Sequence, residues 1–246
     1  IGGNLITTEY LTVGKDANIA GNTVTTSNLI ANKDVDIFGN TVISGNLTTS
    51  YHTTLHKNAN IYGNLITTGN LTVSNNLTVT RETDISGNLA TTGNITTSSN
   101  LTVAKDARIS GNATVTGNLA CMGHIVLGNL TVNKDSTVAG NLLSHGNITT
   151  SYNLTVAKDA TITGNLETTG NITGDYNLTI AKDAAITGNL ATTANISTDY
   201  NLTVAKEATI TGNLATGGNI TTSSNLTVSK DATVTGNMTA TGNIST

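Results

Sequence analysis

The sequence predicts an all-β fold, a parallel β-helix (β-solenoid) of six-residue strand units, and three observations predict it. A hexad repeat runs from Asn4 almost to the last residue. Apolar side chains keep to alternate positions of the hexad, the period-two signature of a strand with one buried side. Residue types that accept bends recur at every hexad boundary.

The repeat comes first. Residues 153–176 read NLTVAK, DATITG, NLETTG, NITGDY, and residues 201–224 read NLTVAK, EATITG, NLATGG, NITTSS. The visible superrepeat is therefore four different hexads. Its irregularities reveal the smaller quantum. Tyr10 to Asn28 spans only three hexads, one short, while Asn100 to Asn129 spans four hexads plus the five-residue unit His124–Gly128. Such self-similarity is the mark of a solenoid.

Position within the hexad assigns each residue a task. Asn opens 29 of 41 units, and the second position is apolar in 36, the exceptions being Thr23, Thr41, Thr53, Thr83 and Ser136. None of the 26 charged residues occupies the second or fourth position. Second and fourth positions thus face inward, with Leu154, Val156, Ile162, Leu166 and Ile172 as representative core columns; third and fifth face outward. Gly, Lys or Ser at the sixth position followed by Asn or Asp makes the corner. A corner at every hexad leaves strands too short for hairpins or crossover helices, so each strand pairs in parallel with its equivalent one coil away.

Coil length follows from charge. With four hexads per coil, Lys158, Lys182 and Lys206 would stack at about the 4.8 Å strand spacing, and like charges opposite one another destabilise a sheet. That favours three hexads per coil, about 18 residues in a triangular section, each strand pairing only with its neighbours above and below. Coils of two hexads or four, about 12 or about 24 residues, are left open. Right-handed winding is expected, because left-handed hexapeptide helices place a small residue where Lys often stands here. The chain reads as one continuous repeat domain, 1–246, of about 14 coils.

Composition narrows function. Thr, Asn and Gly number 51, 34 and 25; there is no Pro or Trp, and charged residues are 11%. This excludes a coiled coil, collagen and a disordered chain. Net charge −4 and pI ≈ 5.4 disfavour nucleic acid, and no apolar run is long enough to span a membrane.

Candidate sites are few. Nine Lys/Arg–Asp/Glu neighbours straddle hexad boundaries, Lys158–Asp159 and Lys182–Asp183 among them, and read as solvated corner charge pairs. His52, His56, His124 and His145 lack the converging partners a metal needs. Cys121, three residues before His124, is placed as a small core residue rather than a nucleophile. Seventeen Asn-x-Thr/Ser sequons follow automatically from the corner, where a column of stacked amides is expected. Outward pairs such as Thr78/Thr80, Thr161/Thr163, Thr209/Thr211 and Thr233/Thr235 suggest a threonine array of the ice-binding kind, though Ala, Ser and Lys interrupt it. Tyr152, Tyr176 and Tyr200 recur every four hexads and are candidate lateral contacts. The apolar stretch Asn118–Gly128 marks a locally pinched coil. No catalytic, cofactor-binding or metal site is expected.

Hexads such as DATITGNLETTGNI at 159–172 resemble bactofilins, bacterial right-handed β-helices. They also look like the Gly-Asn-Leu-Thr-Val repeats of bacterial, phage and viral fibre shafts. The bactofilin resemblance implies end-to-end polymerisation without nucleotide. The Thr/Asn excess, with so few Lys and Glu, points to an extracellular or cell-surface filament, with a viral particle fibre or a cytoskeletal filament as the alternative locations. The expected function is therefore a non-enzymatic protomer of an extracellular homopolymer, its only partner itself through uncapped coils. The alternatives are a viral or adhesive fibre shaft with its tip elsewhere, and an ice binder.

The assigned register makes a direct prediction. Leu154→Asp should abolish folding, whereas Lys158→Gln should change stability by no more than about 0.5 kcal/mol. Equal tolerance of the two by circular dichroism melts would overturn the register.

Overall fold

The computed structural model describes residues 1–246. Every regular element is a β-strand of three residues, the last excepted, which has two. The chain divides into two compact units, Ile1–Gly123 and His124–Thr246. Each is a parallel β-solenoid with three sheets and three hexads per coil. In the first unit the sheets begin with Leu5–Thr7, Leu11–Val13 and Ala17–Ile19. Each strand pairs with the one three hexads on, as Leu5↔Thr23 and Leu11↔Leu29 show. In the second unit the sheets begin with Ile125–Leu127, Leu130–Val132 and Ser136–Val138. The three-hexad coil argued from lysine repulsion is the one observed.

Burial follows the hexad. Most strands read buried–exposed–buried or buried–intermediate–buried, because second and fourth side chains turn into the triangular core and the third turns out. Leu154, Val156, Ile162, Leu166 and Ile172 are all at most 4% exposed. The five hydroxyl residues that break the apolar rule at the second position, Thr23, Thr41, Thr53, Thr83 and Ser136, are each 0% exposed. Position, not polarity, therefore decides what is inside. This has a cost. The hydroxyls of Thr23, Thr25, Thr41 and Thr49 are buried without a hydrogen-bond partner, and a buried unsatisfied hydroxyl costs on the order of 1–3 kcal/mol. All four lie in two consecutive coils, 22–39 and 40–57, which makes these the least apolar part of the first unit.

The short unit His124–Gly128 keeps its strand and loses a corner residue. Ile125–Leu127 pairs in register with Leu142–Ser144, and the His145 N–H reaches the Leu127 carbonyl at 2.9 Å as in a full hexad. The Gly146 N–H then bonds the Gly128 carbonyl at 3.1 Å, so Gly128 fills the sixth position and the fifth is the one deleted. The deletion falls at a corner, and the strand Ile125–Leu127 keeps its pairing with Leu142–Ser144.

One inward position is unfilled. Gly174 occupies a fourth position held by Val156 one coil below and Thr192 one coil above. A Cβ there would meet nothing closer than 3.9 Å, and an apolar hollow lies beside it between Leu154, Ile172 and Leu178. Gly174→Ala removes strand-glycine entropy and fills part of the hollow, so it should raise stability by about 0.5–1 kcal/mol. A lowered chemical-denaturation midpoint would contradict the packing described.

Candidate functional site: the coil edge

A solenoid is held together where one coil meets the next, and the corner decides whether that contact is complete. Within a strand, backbone N–H and C=O groups pair with the coils on either side. At the turn the chain changes direction, and the N–H of the first hexad residue faces no carbonyl in the coil beneath. The side chain of the residue three hexads earlier supplies the missing acceptor. The Asn40 N–H donates to Asn22 Oδ1 at 2.8 Å, Asn64 to Asn46 at 2.7 Å, and Asn165 to Asn147 at 2.8 Å. The backbone carbonyl of that same first residue accepts from the second residue of the coil beneath, as Leu5 N to Asn22 O at 2.8 Å shows. Asn opens most hexads because its oxygen, two bonds from Cβ, reaches this N–H. A donor left at the coil edge without an acceptor would cost about as much as a lost hydrogen bond.

This corrects the expected amide-to-amide stack, since the donor is the backbone and not the neighbouring carboxamide. It also reassigns the corner charge pairs. No ion pair joins Lys158 to Asp159 or Lys182 to Asp183. Each aspartate instead serves the coil above, with Asp159 Oδ1 accepting from Asn177 N and Nδ2 at 3.1 Å each, and Asp183 Oδ1 from Asn201 N and Nδ2 at 3.0 Å each. The lysines are exposed to solvent. Glu82 and Glu207, one methylene longer, accept no such bond from Asn100 or Asn225, so side-chain reach matters more than charge.

Two histidines enter the same column. The Asn70 N–H donates to His52 Nδ1 at 3.0 Å, and the Asn141 N–H to His124 Nδ1 at 2.9 Å. Residue type hid this role; their hexad position, the one Asn usually holds, was the available signal. His56 does something else, bonding Asp36 Oδ1 through Nε2 at 2.8 Å and stacking on Phe38 with ring centroids 4.3 Å apart. Phe38 and His56 stand one full coil apart along the chain, a relation visible only once the coil length is known.

Glycine closes the tightest corners. The Gly164 N–H bonds the Gly146 carbonyl at 3.1 Å, and a Cβ on Gly164 would fall 2.6 Å from the Gly146 carbonyl carbon. No side chain fits between coils that approach this closely.

The remaining candidates are dispersed by the coil. Tyr152, Tyr176 and Tyr200 are 56–59% exposed. They follow strands of three different sheets, because four hexads make one coil plus one face. No single flat side of the second unit carries all three. Each tyrosine stands one coil above a lysine: Tyr152 over Lys134, Tyr176 over Lys158, Tyr200 over Lys182. The outward pairs Thr161/Thr163 and Thr233/Thr235 share one sheet but are separated by Ser197, Asp199, Ala215 and Gly217, and Thr209/Thr211 belongs to another sheet. Cys121 is 1% exposed, its Sγ 3.3 Å from the Lys105 carbonyl, and burial pushes its thiol up to about 11.

Residues 67–167 match the family model described as "Bactofilin: Polymer-forming cytoskeletal". The chain carries a bactofilin-like β-helix repeat. Bactofilins are a polymer-forming structural family, not a family of enzymes. The extracellular location expected from composition finds no support in this match, whose description agrees only with the cytoskeletal alternative. No curated protein and no solved structure matches the chain.

Two measurements check the site. Asn147→Ala removes one corner acceptor and should lower stability by about 1 kcal/mol, while Asn147→Asp keeps the acceptor and should be nearly neutral at pH 7. Equal losses would show that the oxygen is not what matters. Cys121 should react with a thiol reagent at neutral pH only when the chain unfolds. The native thiol titrates above the unfolded one, so its contribution to stability is full below about pH 8.5 and declines as pH rises toward 11. Rapid labelling of the folded protein would contradict the burial.

Proposed function

We propose that the chain is a protomer of a homopolymeric filament in which coils of one copy stack head to tail on coils of the next. The observation that supports this reading most is the uniformity of the coil contact. Within each unit, strands pair in parallel one coil apart, and the corner bonds to side-chain oxygens all run in the same direction. A surface that repeats by translation is heterologous; added to itself it does not close, so it yields an open filament rather than a ring or a dimer. Any coil that ends a stack presents this edge with unpaired backbone groups, the template that solenoids otherwise cover.

The polymer-forming description of the matched family supports the same reading. It also favours a cytoskeletal filament over an extracellular one. Residues 1–246 act in this reading as one repeat domain whose inward aliphatic columns continue from one copy into the next. Exposed Tyr152, Tyr176 and Tyr200 give each filament lateral contacts in three directions rather than one.

Cryo-electron microscopy of the purified chain tests the proposal. The expected result is unbranched filaments in which an axial spacing of about 4.8 Å continues through subunit junctions and all subunits point the same way. Monodisperse short particles, or filaments with subunits alternately reversed, would overturn head-to-tail stacking.

A further inference from the structure

The hexad His52–Lys57 holds two histidines whose bonds respond to protons in opposite ways. His52 accepts: the Asn70 N–H can only donate, so Nδ1, 3.0 Å away, must carry its lone pair and the imidazole must be neutral. His56 bonds Asp36 through Nε2 at 2.8 Å, an arrangement that a second proton on the ring leaves in place and charge-assists. The first bond ties coil 40–57 to the coil above it, and the second ties the same coil to the one below.

The surroundings sharpen the contrast. Facing His52 are Asp34 beneath it, whose Oδ1 accepts the His52 backbone N–H at 2.9 Å, and Asn70 above; Tyr51 adjoins it, with Lys33 in the coil below. Facing His56 are Asp36 and Phe38 beneath, Thr54 on its own strand, Ser74 above and Lys57 next in the chain. The lower junction is also where the unpartnered hydroxyls Thr23, Thr25, Thr41 and Thr49 are buried, so the Asp36–His56–Phe38 staple spans the coils with the weakest core.

We propose that this hexad is a proton-dependent joint: acid opens the upper junction at His52–Asn70 while the Asp36–His56 staple keeps the lower junction closed. Imidazole is the side chain that changes charge between pH 8 and 5. Protonated His52 offers donors on both ring nitrogens, and the Asn70 N–H loses its acceptor. In a stack stabilised only by neighbours, that loss is felt at one junction and not along the whole stack.

Amide hydrogen exchange on the full chain at pH 8.0 and pH 5.5, corrected for intrinsic exchange rates, tests this. The protection of the Asn70 amide should fall about fivefold or more at the lower pH, as loss of one hydrogen bond implies. The His56 amide, bonded to the Ile37 carbonyl at 2.9 Å across the lower junction, should keep its protection. His52→Asn restores the ordinary column residue and should make Asn70 protection the same at both pH values. His56→Gln should leave the Asn70 response intact and lower the protection of the residue-56 amide at both pH values, because the staple to Asp36 and Phe38 is gone. Unchanged Asn70 protection in the native chain, a fall that persists in His52→Asn, or a residue-56 amide as well protected in His56→Gln as in the native chain would each overturn the joint.

Discussion

The structure depends on a backbone N–H that turns the corner without a carbonyl to meet it. A triangular coil has three such donors, and most of them are satisfied by a side chain from the coil below. Asn and Asp do this with Oδ1, and His52 and His124 with Nδ1. Once that column is in place the strand ladders on each side register themselves. Inward residues then fall over inward residues, and the three-hexad spacing is locked by polar and apolar terms together.

The same constraint explains the unusual composition. A chain that spends one residue in six on a corner acceptor, and fills inward sites with whichever small or β-branched side chain fits, accumulates Asn, Thr, Gly, Val and Leu. Buried threonine is tolerated because its methyl packs like that of valine, although several hydroxyls go unpaired. The charged residues are left to the corners and outward faces. There the aspartates belong to the ladder and the lysines to solvent, so the two halves of each sequence pair have separate roles.

In the proposed filament, a translationally uniform contact would make polymer formation a property of the fold rather than of a dedicated patch. The bactofilin-like stretch at 67–167 agrees with that, since its family is described by forming polymers. The exposed tyrosines do not concentrate on one side. A four-hexad pattern wound on a three-hexad coil advances one face at each repeat, and this carries Tyr152, Tyr176 and Tyr200 around the second unit. Threonine behaves differently: Thr78, Thr96 and Thr114 stack outward on one sheet of the first unit, and Thr203, Thr221 and Thr239 on one sheet of the second.

Much was legible in the amino-acid sequence. Hexad periodicity marks the strands, corners and inward positions of Leu154, Val156, Ile162, Leu166 and Ile172, because a strand alternates sides whatever its neighbours do. Repulsion between stacked lysines favours the three-hexad coil over the four-hexad one. The tertiary structure alone shows where Asp159 and Asp183 send their oxygens, what His52 accepts, and that His56 stacks on Phe38. Those facts depend on which residues meet after a full turn and on how far each side chain reaches. A linear pattern carries the order of residues along the chain; distances across it exist only once the coil has closed.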